Sequence, residues 1–113
     1  MNPEKIVQQQ VEAYNARDID TFVACHHPEA ELFNFSETVP FTIGLEKIKG
    51  IYQDVFENSP NLNTQILNRI VFDNKVIDHE IVTGRKEIEH MELIAIYEIK
   101  EGLIGKAHFI RKN

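Results

Sequence analysis

This chain predicts an α+β fold with the helices first and an antiparallel sheet after them. Three observations carry that prediction. Apolar residues recur at helical spacing in the first half, Val- and Ile-rich runs fill the second half, and short turn signals separate those runs.

The first helix is predicted from Asn2-Pro3, a cap followed by a preorganised first residue, and from Ile6, Val7, Val11 and Tyr14 at helical spacing. Asn15-Ala16-Arg17 breaks the pattern. Asp18 can then cap a second short helix whose apolar face is Ile19, Phe22 and Val23. Pro28 is expected to end that helix near His26-His27. Ala30 to Phe35 reads as a strand, and Phe41 to Ile43 as a short one. The third helix rests on Ile48, Ile51, Tyr52, Val55 and Phe56, with Asn58-Ser59-Pro60-Asn61 as its stop. Four strand-like runs follow: Asn63–Phe72, Lys75–Thr83, Ile88–Lys100 and Leu103–Arg111. Asp73-Asn74 and Glu101-Gly102 mark antiparallel hairpins.

At 113 residues, with an apolar share of 42% and a charged share of 27%, the sequence reads as one domain, 1–113, with one core. No apolar run is long enough to span a bilayer. The Met1–Lys5 start has no apolar signal core, so the expected location is cytoplasmic and no membrane partner is expected. A net charge of −6 with scattered Lys and Arg argues against a nucleic-acid partner. The single Cys25 excludes an internal disulfide framework.

Val76 to Gly84 is the segment richest in chemistry. It reads as a strand, yet it carries Asp78, His79 and Glu80 in its middle. A strand sends successive side chains to opposite faces, so His79 parts from Asp78 and Glu80. Whichever set is buried needs hydrogen-bond partners or a cavity. Either His79 or the Asp78/Glu80 pair is therefore a candidate catalytic acid/base group; the outward set is left to solvent or an interface.

Tyr14–Phe22, Ala30–Phe35, the helix around Ile51-Tyr52 and Ala95–Ile104 together resemble the nuclear transport factor 2-like superfamily, in particular its SnoaL-like and steroid Δ-isomerase-like branch. The resemblance spans nearly the whole chain. It implies a cone of three helices closed on a strongly bent antiparallel sheet, with a mostly apolar pocket at the open end. It also implies a homodimer through the outer sheet face. Register with the ketosteroid isomerases places Gln10, Tyr14, Asn34, Tyr52, Ala95 and Tyr97 at the pocket, with Phe56 and Phe109 as apolar wall.

The departures from that pattern carry as much information. The isomerase base position falls on Asn34, and its acidic donors fall on Gln10 and Ala95. An amide cannot shuttle a proton near neutrality, and each lost oxyanion donor costs a few kcal/mol of barrier. Steroid isomerase activity is therefore not expected. The expected function is binding of a small, largely apolar molecule, with isomerisation, cyclisation or dehydration by proton transfer as the chemistry it would support. The alternative is a non-enzymatic module that uses the sheet face to bind a partner protein.

The remaining candidates carry less. His26-His27 falls at a predicted helix end, without the spacing of a chelating pair, so no metal and no cofactor is expected. Cys25 has no base one helical turn away and reads as a small buried apolar group. His90 and His108 are isolated strand residues, and Gly44 and Gly50 do not form a nucleotide loop.

Overall fold

The computed structural model describes residues 2–112. Helix α1 spans Pro3–Ala16, and the Asn2 side chain accepts from the Lys5 N–H. It ends inside the expected break, at Arg17, whose left-handed backbone (φ 55°) turns its N–H back onto Ala13 and Tyr14. Asn15, read as a breaker, is a clamp. Its Oδ1 accepts from Thr64 N at 2.6 Å and its Nδ2 donates to Thr64 O at 3.0 Å, fastening the helix end to the sheet.

Helix α2 covers Ile19–Ala24 and is capped by Asp18, which accepts from both N and Oγ1 of Thr21. The helix ends at Ala24, next to the His26-His27 position expected from Pro28, and the two histidines themselves open strand β1, His26–Asn34. Proline lacks an N–H and is tolerated where a strand is irregular. The pairing register shifts between His26 and Glu31, around Pro28. Strand β2, Thr42–Ile43, is short, and helix α3 follows at Leu45–Glu57. Ile48, Tyr52, Val55 and Phe56 form its buried stripe, while Ile51 lies on the flank at 37% exposure.

Strands β3 (Asn63–Phe72), β4 (Lys75–Arg85), β5 (Ile88–Lys100) and β6 (Leu103–Arg111) form the expected antiparallel meander. Left-handed residues at Asp73, Glu101 and Gly102 make two of its turns. The six-stranded order is β2-β1-β6-β5-β4-β3, and β1 joins β6 in parallel. That pairing joins distant parts of the chain and leaves no local signal in the sequence. Irregularities in β1, β3 and β5 bend the sheet around the helices, producing the predicted cone.

One glycine is required by contact. At Gly84 (φ 72°) a Cβ would stand 2.1 Å from Asn61 O, so the chain before β3 can lie directly on β4. Inside the cone, Val7, Tyr14, Phe22, Ile48, Tyr52 and Phe56 from the helices meet Leu32, Val76, Leu93, Ala95 and Tyr97 from the sheet. No helix among the described residues is long and apolar enough to cross a membrane.

Candidate functional site

Strand β4 alternates cleanly. Val76, Asp78, Glu80 and Val82 are buried, whereas Ile77, His79 and Ile81 are half-exposed on the outer face. The Asp78/Glu80 pair is therefore the inward set. His79 instead meets Glu92 across the outer face, Nε2 to Oε2 2.6 Å. As a pocket residue His79 is corrected by this geometry: β4 pairs with Met91, Leu93, Ala95 and Tyr97 of β5, whose side chains are also buried, and that register commits the even-numbered residues to the core.

The inward carboxylates meet different environments. Asp78 is fully buried and gripped by Arg69, Nε to Oδ1 2.6 Å and Nη2 to Oδ2 2.9 Å; Arg69 Nη1 also donates to Gln8 Oε1. Glu80 is 6% exposed, and its Oε2 is buried without a hydrogen-bond partner among the described residues. Burial, reinforced by the Asp78 charge and opposed by Arg69, pushes the Glu80 carboxyl up to about 8. At neutral pH Glu80 is thus mostly a carboxylic acid, and its carboxylate is a stronger base than an ordinary one.

Glu80 opens into a cavity between α1, α3 and the sheet with about 40 Å³ of clear space, room for a few waters. Val11, Phe22, Leu32, Val82, Met91, Leu93, Ala107 and Phe109 give it apolar walls. Its polar groups are Gln10, Tyr14, His26, Tyr52, Thr64, Glu80, Tyr97 and two arginines, Arg85 and Arg111. Of the eight expected ligand contacts, Gln10, Tyr14, Tyr52, Tyr97 and Phe109 line the cavity.

Asn34, Phe56 and Ala95 do not line it. Asn34 sits behind Arg111, accepting from its Nη1 at 2.6 Å. Phe56 packs into the aromatic cluster, 5.5 Å from both Tyr14 and Phe22. Ala95 is fully buried opposite Asp78, whose side chain shares its face.

The tyrosines remain phenols. Burial raises Tyr14 to about 12, where Arg85 partly opposes it, and raises Tyr52 as well. Tyr97 is pushed well above its ordinary value by burial, then by the Glu80 and Asp78 charges. Each is a hydrogen-bond donor at working pH. Arg85 Nη1 approaches Tyr14 Oη at 3.4 Å, and Arg111 lies 5.3 Å above the Phe109 ring.

His26, Arg85 and Arg111 were missed as site residues by sequence reasoning. His26 Nδ1 donates to the Phe22 carbonyl at 2.9 Å, leaving Nε2 as the ring's acceptor, and burial lowers the ring to about 4. Its signal was hidden because His26 reads as a helix-end residue, whereas it is the first residue of β1. Arg85 and Arg111 sit at strand ends far apart in sequence, and only the closure of the cone brings them to one cavity, Arg85 half-buried and Arg111 still exposed. Cys25 is buried, and burial pushes its thiol up to about 11, in keeping with a packing role. Among the described residues, no group of three or more His, Cys, Asp or Glu could hold a metal ion.

Solved structures share this architecture. A cystatin-fold protein from Novosphingobium aromaticivorans superposes with a TM-score of 0.89 at 22% identity, covering 98% of this chain and 99% of its own. A candidate ketosteroid isomerase from Kribbella flavida matches at TM-score 0.80 and 11% identity over 98% of this chain and 78% of its own. A candidate SnoaL-like polyketide cyclase from Jannaschia sp. CCS1 matches at 0.79 and 14% identity, over 97% and 85%. A search of curated proteins finds no significant match. At these identities the structures establish the fold alone. The SnoaL-like domain family matches residues 7–106. The chain therefore belongs to the SnoaL-like domain family, within the nuclear transport factor 2-like superfamily.

Proposed function

We propose that this protein binds a small, largely apolar molecule in the cone and moves a proton on it, with Glu80 as the acid/base group. The observation that carries the proposal is the buried, unpartnered Glu80 carboxyl facing an apolar cavity, poised near 8. Ionised, it removes a proton from carbon beside a carbonyl; protonated, it returns that proton elsewhere. The Tyr52 and Tyr97 hydroxyls are the donors available to the oxygen that gains charge. Isomerisation, cyclisation and dehydration all use this step. Steroids are disfavoured by the narrow cavity and by Asn34 being held on Arg111.

The direct test is exchange of carbon-bound protons of ethyl acetoacetate in heavy water, followed by NMR. Glu80→Gln should lower the enzyme-dependent rate by about a hundredfold or more. Equal rates in both proteins would remove Glu80 from the chemistry.

The protein is further proposed to pair with a second copy through its outer sheet face. Ile70, Ile77, Ile96, His108 and Phe33 form a cross-strand row there, and Phe33 stacks on His108 at 4.4 Å. Ile70 is 53% exposed in the single chain. Ile96→Glu should convert a sedimenting dimer to a monomer. The same apolar face, with the narrow cavity, favours a second reading, a module for a partner protein; absence of any ligand-induced thermal shift would support it.

A further inference from the structure

The cavity's charge is the wrong way round for a purely apolar ligand. Arg85 and Arg111 both line it, and among the described residues neither guanidinium has a carboxylate within ion-pair distance. Arg85 has the Tyr14 hydroxyl at 3.4 Å, and Arg111 has the Asn34 amide oxygen and the Phe109 ring. Arg69, Lys75, Lys86 and Lys112 have acids within reach, and the other unpaired basic side chains among the described residues, such as Arg17 and Lys47, are exposed and line no part of this cavity. In a chain of net charge −6, two arginines without acidic partners at one cavity are a concentration of positive charge against the overall trend.

The acid within reach does not cancel it. Glu80 is the carboxyl in the cavity wall, and Asp78 behind it is already neutralised by Arg69. With Glu80 protonated the cavity carries both positive charges; with Glu80 ionised it still carries a surplus of one. The arginines and Glu80 act together on one point, since the Tyr52 hydroxyl lies in the field of Arg85, Arg111 and Glu80.

From this geometry we infer that the ligand is a compact carboxylic acid, its carboxylate held by Arg85 and Arg111 and its apolar body directed along Leu32, Leu93 and Phe109 toward Glu80. The inference rests on the cavity proposed as the functional site and names the substrate class that site would take. A guanidinium matches a carboxylate in planar, bidentate fashion, and the anion supplies the missing counter-charge. The clear space of about 40 Å³ restricts the body to a few carbons unless the arginine side chains swing outward. A carboxylate anchored at the mouth leaves the carbons beyond it as those that meet Glu80.

The test is titration calorimetry of the full chain with crotonate and with crotonamide, which share a shape and differ in charge. Crotonate should bind at least tenfold tighter, and the preference should weaken with added salt. Arg85→Met and Arg111→Met should each reduce it, Arg85→Lys should retain part of it, and circular dichroism checks that the variants fold. Equal binding of acid and amide, or no binding of either, overturns the inference. So does an unchanged preference in both Met variants. Tighter binding of ethylphosphonate than of crotonate would overturn the choice of carboxylate. Proton exchange on neutral ethyl acetoacetate reports on Glu80 separately, so the proposed chemistry can stand while the anion preference falls, and the reverse.

Discussion

Arg69 holds both carboxylate oxygens of Asp78, at 2.6 and 2.9 Å, from the neighbouring strand β3. The pair stands directly behind Glu80 on the same face of β4. Burial does most to raise the proton affinity of Glu80; Asp78 adds to it by its charge, and Arg69 limits that rise. A structural ion pair therefore adjusts the working range that burial gives the group beside it.

Breaking that pair from one side should be costly. Arg69→Met leaves a fully buried carboxylate without its cation and should destabilise the fold by about 3–5 kcal/mol in urea denaturation. Arg69→Met with Asp78→Leu removes both charges and should recover most of the loss. A double variant no more stable than the single one would show that Arg69 matters through packing instead.

Glu80 makes stability fall with rising pH. Its unfolded value is about 4.5 and its folded value about 8, so between these limits the folded state binds the extra proton. Stability then decreases with pH across that window, by at most about 1.4 kcal/mol per pH unit, and levels off above it. Glu80→Gln should flatten this slope, matching the parent near pH 5 and exceeding it near pH 8. Parallel pH profiles for the two proteins would mean that Glu80 ionises normally.

The helical stripe at Ile48, Tyr52, Val55 and Phe56 and the turns at Asp73-Asn74 and Glu101-Gly102 were legible because they are local patterns. The inward face of β4 was not. Val76 and Val82 lie on one face and Ile77 and Ile81 on the other, so hydrophobicity gives no preference. Only pairing with β5, where Glu92 and Glu98 lie on the outer face, resolves it. The arginines of the cavity were hidden for a similar reason. Residues 85 and 111 are far apart in sequence, and the sheet's closure alone brings them to one cavity.

Gly84, next to Arg85, is where the chain at Asn61 lies directly on β4. Gly84→Ala would place a methyl 2.1 Å from Asn61 O in a backbone conformation that disfavours any side chain. The loop before β3 must then lift from β4. A loss of about 1–3 kcal/mol is expected, together with weaker crotonate binding as Arg85 is displaced. Wild-type stability in this variant would mean that the loop yields without strain.

His79 provides the control that separates the two faces of β4. Its ring is bound to Glu92 on the outside of the sheet, where the Lys112 ammonium also approaches that carboxylate. Glu92 is held below its ordinary value first by the His79 hydrogen bond and then by Lys112. A half-exposed pair of this kind is screened by salt and contributes little to stability. His79→Ala should therefore leave the thermal midpoint near that of the parent and leave proton exchange unchanged, in contrast to Glu80→Gln. If His79→Ala abolished exchange while Glu80→Gln retained it, the chemistry would belong to the outer face, and the cavity would lose its claim to be the active site.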